Sequence, residues 1–344
     1  MARSLVIINP QASRMRRGGA VAAVSAGLTR VLTLRDGEPP MLVIPDGPDA
    51  TPAHVHEALA AGVTAVIGVG GDGTLKEIAT ILAGGRVPLG IVPGGTGNVL
   101  AGVLGVPSGL DATVAALAGV RSRAIDLGEV TLELAESQAG DGGAAAGVAS
   151  TTPAGAATIP ATRTLAFASG CGLGFDARIM STTTAAMKRR LGRSAYFVQA
   201  LRLATTIGTV PYRITIDGER FETEASIAMV TNMGELLPGA MGPRLPIVPD
   251  DGLLDVFVLG ARGPVAGMRG LLDHLLRTEV GTNPDAGTLR LRGRRIRIES
   301  MPPEPMQVDG DAAGRGSLEA VVRPGALMVL VPEDAISTVD VERR

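Results

Sequence analysis

The sequence predicts two domains: an α/β domain with a doubly wound, mostly parallel sheet, followed by a largely antiparallel β domain. Three observations support this prediction. The chain has 344 residues, which is more than most single hydrophobic cores hold. Up to Asp126, short β-branched runs alternate with helical stretches, as in βαβ units. Beyond Asp126, strand-like runs are separated by turn signals such as Asp217-Gly218, which is typical of antiparallel sheets.

The α/β domain is predicted over residues 1–126 and the β domain over residues 127–332. In the first domain, strands are expected at residues 5–8, 41–44, 65–69 and 89–92, and helices at 19–30, 52–61, 75–82 and 99–104. In the second, strands are expected at residues 129–135, 164–169, 213–216, 226–231, 254–259, 288–291, 295–299 and 327–331, and helices at 183–206 and 265–277. Residues 137–160, rich in Gly, Ala, Ser and Thr, are predicted to form a disordered surface loop.

Charge and cysteine content exclude several classes of protein. A formal net charge of −2 argues against a nucleic-acid-binding protein. The single cysteine, Cys171, cannot form an intrachain disulfide and fits a reducing compartment. The apolar run near the N-terminus is too short for a signal peptide, and no run of about 18 apolar residues could span a membrane. We therefore expect a cytoplasmic protein that contacts a membrane, at its inner surface, only peripherally. The sequence leaves the oligomeric state open.

Two glycine-rich turns each lie between a predicted strand and a predicted helix. The first is Gly70-Gly71-Asp72-Gly73-Thr74 and the second is Pro93-Gly94-Gly95-Thr96-Gly97-Asn98. Glycines let the backbone approach an oxyanion, and the amides at a helix N-terminus point towards it. Both turns would emerge at the carboxyl edge of the sheet, where open α/β folds bind ligands. Neither matches the dinucleotide fingerprint or the Walker A pattern, so we expect a phosphate site of another kind.

An aspartate in the first turn, Asp72, would repel a phosphate unless a cation lay between them. A Mg²⁺ bound directly or through water would remove this repulsion. The alternative is a glycine-rich turn whose aspartate caps a helix. The second turn of the same kind favours the phosphate site.

Several segments resemble, in order, the motifs of the diacylglycerol kinase catalytic family, which includes sphingosine and ceramide kinases and bacterial lipid kinases. The first glycine turn, followed by Glu77, is similar to the family's GGDGT signature. The other matching segments are Asn9-Pro10, Gly95-Thr96-Gly97-Asn98, Asp126-Leu127-Gly128, Gly172-Leu173-Gly174-Phe175-Asp176, Leu191-Gly192 with Ala195-Tyr196, Asp250-Asp251-Gly252-Leu253-Leu254-Asp255-Val256, and Val308-Asp309-Gly310-Asp311. The resemblance runs from residue 5 to residue 332 and excludes the Gly/Ala-rich loop.

This resemblance implies an ATP- and Mg²⁺-dependent lipid kinase that transfers the γ-phosphate to the hydroxyl group of diacylglycerol or a sphingoid-type lipid. It also implies a first domain of the NAD-kinase and phosphofructokinase type, a β-sandwich second domain and a site in the cleft between them. Residues 333–344 would return to the first domain. The partner would be a lipid presented at a membrane surface, and no nucleic acid is expected.

The resemblance also assigns roles to individual residues. Asp72 and Asp126 would hold a catalytic Mg²⁺ through waters, although Asp126 could instead cap a turn between the domains. Asp311 takes the place of the family's glutamate, the general base on the lipid hydroxyl, and is one methylene shorter; an ordinary turn aspartate is the alternative. The residues expected to bind the nucleotide are Asn9, Gly70, Gly71, Asp72, Gly73, Thr74, Leu75, Lys76, Glu77, Gly95, Thr96 and Asn98.

A second metal site is implied at Asp251, whose counterpart in bacterial relatives binds a structural Mg²⁺ with two backbone carbonyls. Here those carbonyls would belong to Val248 and Leu253. A simple β-turn at Asp250-Asp251-Gly252 is the alternative.

Two other functions compete with the lipid kinase. NAD kinases and phosphofructokinases also use a GGDG turn, so a small-molecule kinase resembling NAD kinase is one of them. The other is a non-catalytic nucleotide- or lipid-binding protein that has lost its base.

Overall fold

The computed structural model describes residues 3–47, 50–95, 97–135, 162–182, 187, 208–233, 247–260 and 288–333. Within these ranges the chain forms 15 strands and six helices. The strands are β1 (Ser4–Ile8), β2 (Met41–Val43), β3 (Ala65–Gly70), β4 (Leu89–Pro93), β5 (Val120–Leu134), β6 (Thr162–Phe167), β7 (Gly170–Gly174), β8 (Val210–Ile216), β9 (Glu219–Ala225), β10 (Ile227–Thr231), β11 (Leu254–Leu259), β12 (Thr288–Gly293), β13 (Arg295–Ser300), β14 (Glu304–Val308) and β15 (Asp311–Pro332). The helices are α1 (Ala20–Asp36), α2 (Ala50–Ala60), α3 (Asp72–Leu82), α4 (Val99–Val103), α5 (Leu110–Ala116) and α6 (Phe175–Thr182).

The first domain is built on a parallel sheet in the order β2-β1-β3-β4-β15. Alternate residues of β1 face opposite sides of this sheet because successive side chains of a strand point in opposite directions. Leu5 and Ile7 pack in a core with residues of α2 and α3, whereas Val6 and Ile8 pack in a second core with residues of α1 and α5. Burying each of these side chains contributes about 1.5–3 kcal/mol. The predicted doubly wound architecture is confirmed.

The second domain is a β sandwich made of antiparallel pairs. One sheet runs in the order β12-β11-β10-β7-β14-β15, and the pairs β5-β6 and β13-β8-β9 branch from β15. Side chains from both layers, among them Tyr212, Val230 and Leu318, share one buried core. The predicted second domain is likewise confirmed.

The two long strands β5 and β15 pass through both domains as an antiparallel ribbon. Their pairing extends from Val120 opposite Pro332 to Leu134 opposite Gly316, with an irregularity between Arg323 and Leu327. Val329 of β15 also pairs with β4 of the first sheet, so the chain returns to the first domain within β15 and before the predicted boundary at residue 332. Residues 334–344 lie outside the described residues.

Several elements differ from those predicted. Helices α5 and α6 and strands β7, β9 and β14 were not expected, and β5 and β15 are longer than their patterns indicate. In β9 the reason is its composition: the strand is mostly charged and exposed, so little apolar alternation marks it. The helices predicted at residues 183–206 and 265–277 and the predicted loop at 137–160 lie outside the described residues.

No helix within the described residues is long and apolar enough to cross a membrane.

Glu133 of β5, a partly buried carboxylate of the sandwich, should make stability depend on pH. Its carboxylate accepts hydrogen bonds from Arg297 at 2.8 and 2.6 Å and from the Ser317 hydroxyl at 2.9 Å. The bonds from Arg297, then that from Ser317, lower the pKa of Glu133 below its ordinary value. A carboxylate with a depressed pKa stabilises the fold above its unfolded pKa, and this contribution is lost as the pH falls through the folded pKa.

We therefore expect Glu133→Gln to lower the melting temperature at pH 7, and this difference to shrink as the pH falls below about 4.3, the ordinary pKa of glutamate. Thermal unfolding between pH 7 and pH 3 measures it. The exposed Glu219 on β9 provides a control, because Glu219→Gln should leave the melting temperature unchanged at each pH. A Glu133→Gln difference that stays constant over this range would contradict the prediction.

Candidate functional site between the domains

The two glycine turns lie against each other at the carboxyl edge of the first sheet. Strands β3 and β4 are parallel neighbours, with Gly70 opposite Pro93. The amide of Gly94 donates to the carbonyl of Gly70 at 2.7 Å. A Cβ atom on Gly95 would lie 2.5 Å from the Cα atom of Gly71, closer than real Cβ contacts. The turns therefore approach so closely that position 95 accepts only glycine without a shift of backbone.

Asp72 joins the two turns. Its Oδ2 atom accepts a hydrogen bond from the amide of Asn98 at 2.7 Å, and its Oδ1 atom accepts one from the amide of Val99 at 2.8 Å. These amides form the start of α4, so the carboxylate caps the helix that follows the second turn. We expected both helix starts to face a phosphate, but at the start of α4 these amides bind Asp72. The same bonds offset part of the negative charge of Asp72, which reduces its repulsion of an anion nearby.

The start of α3, in contrast, has the shape of an anion site. Its N-cap residue is Gly71, which provides no side-chain cap, and the first intrahelical bond runs from the amide of Leu75 to the carbonyl of Gly71 at 3.1 Å. The amides before Leu75 have no acceptor within the helix, as at every α-helix N-terminus. A Cβ atom on Gly73 would meet no atom within 4 Å, so the space beside this turn is open. An anion could approach the backbone here.

Asn9 and Asn98 hold the two turns in shape. The Asn9 side chain donates to the hydroxyl of Thr74 at 2.8 Å, which fixes the end of β1 to the first turn. Asn98 has a left-handed backbone with φ 55°, and its side chain bonds both the amide and the carbonyl of Gly95, at 3.0 and 2.9 Å. These predicted nucleotide-binding residues therefore form the frame of the site. Thr96, predicted with them, lies outside the described residues.

Arg14 supports the second turn from its other side. Its amide donates to the carbonyl of Gly94 at 2.9 Å, and its guanidinium donates to the carbonyl of Pro93 at 3.2 Å and to that of Ser108. The sequence gives no local signal for these contacts, because the acceptors lie far from Arg14 in the chain.

A cavity of about 90 Å³ lies between the first turn of α3 and the second domain. Its lining residues are Asp72, Gly73, Leu75, Lys76 and Leu100 of the first domain and Ala168, Ser169, Asp309 and Asp311 of the second. The structure thus brings Asp72, Gly73, Leu75, Lys76 and Asp311, all predicted site residues, to one cavity. It adds Leu100, Ala168, Ser169 and Asp309, to which the sequence assigned no role.

Asp309 is a buried carboxylate in the lining of this cavity. Its Oδ1 atom accepts hydrogen bonds from the amides of Ser169 and Gly170 at 2.8 and 3.0 Å, and its Oδ2 atom accepts one from Ala168 at 3.2 Å. The Lys76 ammonium lies 3.7 Å from Oδ2. Burial raises the pKa of Asp309, and the charge of Lys76 together with backbone hydrogen bonds opposes this rise.

Asp309 and Gly310 form the tight turn between β14 and β15. Both have positive φ, 49° and 84°, and they connect the paired residues Val308 and Asp311. An Asp-Gly pair between two strands is a strong hairpin signal, so this turn could have been predicted from the sequence. The amides that bind the Asp309 carboxylate lie about 140 residues earlier in the chain, so these contacts could not have been predicted from the sequence.

Asp311, the predicted base, is 84% exposed at its side chain and lines the cavity. Its Oδ2 atom lies 3.8 Å from the Lys76 ammonium. The exposed carboxylate is therefore accessible to a substrate that enters from solvent.

Asp126 lies outside this cavity lining, at the point where β5 passes between the domains. Its two carboxylate oxygens accept hydrogen bonds from the amides of Gly325 and Gly252, each at 2.7 Å. Burial raises the pKa of Asp126, and the amides of Gly325 and Gly252 oppose this rise. These contacts are those of the turn-capping alternative. Glu77, predicted to bind the nucleotide, is partly buried and is also absent from the described lining.

The carboxylate of Asp251 has one backbone partner and one arginine partner. Its Oδ1 atom accepts a hydrogen bond from the amide of Leu253 at 3.0 Å, and its Oδ2 atom forms an ion pair with Arg292. Gly252 has a positive φ of 75°, as a tight turn requires. Among the described residues no group of three His, Cys, Asp or Glu side chains is placed to hold a metal ion. The contacts of Asp251 are those of a tight turn, and the metal site with Val248 and Leu253 stays a prediction.

Two family models match the chain over most of its length. The diacylglycerol kinase catalytic domain matches residues 3–130. The YegS C-terminal NAD kinase beta sandwich-like domain matches residues 170–331. The fold and the interdomain site thus define a protein of the diacylglycerol kinase class.

Individual relatives define the family more closely. A protein of Pseudomonas fluorescens named probable lipid kinase YegS-like is 32% identical over 289 residues, which cover 82% of each chain. A protein of the same name from Pseudomonas syringae pv. tomato is 31% identical over 286 residues, 82% of this chain and 80% of that one. The chain therefore belongs to the family of YegS-like lipid kinases, as the resemblance predicted. A crystal structure of a diacylglycerol kinase from Bacillus anthracis shares the fold, with a TM-score of 0.67 and 20% identity over 97% of this chain and 98% of that chain.

Proposed function

We propose that the protein transfers the γ-phosphate of ATP to the hydroxyl group of a lipid presented at a membrane surface. One observation carries this proposal: the open start of α3 and the exposed carboxylate of Asp311 line the same interdomain cavity. A phosphate chain bound at α3 and a hydroxyl bound at Asp311 would meet within it. Diacylglycerol and sphingoid-type lipids are the acceptors that the family resemblance favours.

The phosphate side is formed by the first turn of α3. Backbone amides and the positive end of the helix dipole attract an anion, and the glycines allow it to approach closely. Lys76 follows one helical turn later and adds a positive charge. The cavity, with a volume of about 90 Å³, has room only for the reacting groups. The nucleoside would therefore extend towards the frame formed by Asn9 and Asn98.

The carboxylate of Asp72 offers an oxygen ligand for a Mg²⁺ at the cavity. Mg²⁺ is usually held by one or two carboxylates together with phosphate oxygens and waters, so Asp72 fits such an ion. Bound there, it would neutralise charge on the phosphate oxygens. Asp126, which the resemblance pairs with Asp72 on this ion, lies outside the cavity lining.

On the acceptor side, Asp311 would accept the proton of the lipid hydroxyl. General-base catalysis of this kind typically contributes about 10²–10⁴-fold. Because its side chain is exposed, a lipid hydroxyl could reach it from solvent. Membrane contact would be peripheral.

Transfer of labelled phosphate from ATP tests the proposal. The acceptors are lipids that include diacylglycerol, a sphingoid base and ceramide, with NAD as the small-molecule alternative. We expect Mg²⁺-dependent transfer to at least one lipid and none to NAD. Transfer to NAD alone would favour a small-molecule kinase, and no transfer to any acceptor would favour a binding protein.

Gly73→Ala provides a sharper test of the phosphate site. The added methyl group meets no protein atom within 4 Å, and replacing glycine within a helix should stabilise the fold by about 0.5–1 kcal/mol. If the phosphates of ATP lie against this turn, the methyl group occupies their space, and the affinity for ATP should fall about tenfold or more, which is about 1.4 kcal/mol. Calorimetric titration with ATP and thermal unfolding measure the two effects.

Gly109→Ala serves as the matched control. Gly109 is the N-cap of α5, and an added Cβ atom there would make only an ordinary contact with Ala112 at 3.7 Å. This variant should bind ATP like the wild type. A Gly73→Ala protein with unchanged ATP affinity would place the phosphates elsewhere.

A further inference from the structure

Lys76 occupies the junction between the two halves of the proposed reaction. It lies on α3, four residues after Asp72 and therefore on the same face of the helix. Its ammonium reaches across the cleft to two carboxylates of the second domain, Asp309 at 3.7 Å and Asp311 at 3.8 Å. The lysine is thus the point at which the phosphate-binding helix meets the acceptor side.

The two carboxylates beside this ammonium differ in their surroundings. Asp309 is buried and accepts hydrogen bonds from three backbone amides, so its position is fixed. Asp311 is exposed. The fixed carboxylate of Asp309 thus holds the ammonium on one side, and the carboxylate of Asp311, which a substrate can reach, lies on the other.

The Lys76 ammonium is attracted by the charges of Asp309 and Asp311, but it is too far from them for hydrogen bonds. Distances of 3.7 and 3.8 Å are ion-pair distances and exceed the usual range of about 2.7–3.2 Å for an N–H···O bond. An ammonium has three N–H donors. They can therefore turn towards an oxygen atom that enters the cavity.

We propose that Lys76 is a catalytic residue that donates a hydrogen bond to the phosphoryl group during transfer, and that Asp309 is the positioning residue that holds its ammonium in place. This inference rests on the proposed function and deepens it. It gives Lys76 a role in the reaction itself, beyond contributing to nucleotide binding.

During transfer the hydroxyl oxygen of the lipid forms a bond to the γ-phosphorus, while the bond from this phosphorus to the β–γ bridging oxygen breaks. The hydroxyl proton passes to Asp311, and ADP leaves with the electron pair of the broken bond. Negative charge is spread over the oxygens of the phosphoryl group in the transition state. A cation already fixed beside those oxygens stabilises that charge without having to reorganise.

The test compares Lys76→Met with the wild type in the ATP-to-lipid transfer assay. Methionine keeps most of the length of the side chain and removes its charge. We expect kcat to fall about 10²-fold, the loss typical of removing one preorganised donor, with little change in the KM for ATP. Lys76→Ala should lose activity similarly and regain part of it when methylammonium is added, because the small amine can fill the vacated position.

Arg86→Met is the control, because Arg86 is exposed beyond the end of α3 and lines no described part of the cavity. Its kcat should equal that of the wild type. Thermal unfolding of each variant shows whether it folds. Lys76→Met leaves Asp309 buried without its cation, so the double variant Lys76→Met/Asp309→Asn, which removes both charges, supplies a second measurement.

A double-mutant cycle tests the role of Asp309. If Asp309 acts through Lys76, Asp309→Asn lowers kcat in the wild-type background and has little further effect in Lys76→Met. Additive losses would overturn the positioning role of Asp309. A Lys76→Met enzyme with wild-type kcat, or one that loses only ATP affinity, would overturn the catalytic role of Lys76 while the kinase proposal stands. Absence of transfer by the wild-type protein would overturn both.

Discussion

Asp72→Asn is expected to lower phosphoryl transfer from ATP to lipid about 10³-fold. The carboxylate accepts one amide on each oxygen, from Asn98 and Val99, and so ties the start of α4 to the first glycine turn. Asparagine has one oxygen and one amino group, so one of these amides would face another donor. The turns would separate locally, and the carboxylate that we propose as a Mg²⁺ ligand would be lost as well.

The transfer assay measures this loss, and thermal unfolding reports the accompanying change in stability. Losing one hydrogen bond at a partly buried site should cost about 1–3 kcal/mol. Asp111→Asn is the matched control, because Asp111 also lies in the first turn of a helix but is exposed and distant from the cavity lining. Wild-type activity in Asp72→Asn would mean that neither the cap nor the charge contributes to the reaction.

Gly95→Ala should damage both stability and activity. The new Cβ atom would lie 2.5 Å from the Cα atom of Gly71, which is backbone and cannot rotate away. The two turns must move apart, and overpacking of this kind typically costs about 1–3 kcal/mol. A displacement near 1 Å in the phosphate-binding turn can reduce activity by about 10²-fold.

Thermal unfolding and the transfer assay together test this prediction. Gly18→Ala controls for the loss of backbone freedom, because a Cβ atom on Gly18 would meet no atom within 4 Å. It should leave both quantities near their wild-type values. If Gly95→Ala behaved like this control, the close contact between the turns would have no functional importance.

Local sequence signals predicted the frame of the site well. Both glycine turns lie between a strand and a helix. They can be predicted from the sequence because glycine adopts backbone conformations that other residues disfavour. The short apolar run at residues 5–8 likewise predicted a strand, and the structure forms β1 there. Such features depend on neighbours within a few residues.

The partners of the charged residues were not predictable in the same way. Asp72 caps α4, the helix that follows the second glycine turn. Lys76 pairs with carboxylates near the other end of the chain. Asp126, for which a cation ligand and a turn cap were both considered, accepts hydrogen bonds from two backbone amides in separate loops. These contacts follow from the packing of the domains, which no short sequence pattern encodes.

The ribbon of β5 and β15 has a consequence for attempts to divide this protein. Because the same two strands complete both sheets, a cut at residue 126 would pass through continuous β structure and not through a linker. The N-terminal fragment would lose the strand beside β4, and the C-terminal fragment would lose the first residues of β5. Each fragment would expose the unpaired backbone donors and acceptors of an edge strand, through which sheets aggregate. We therefore expect neither fragment to fold when it is expressed alone.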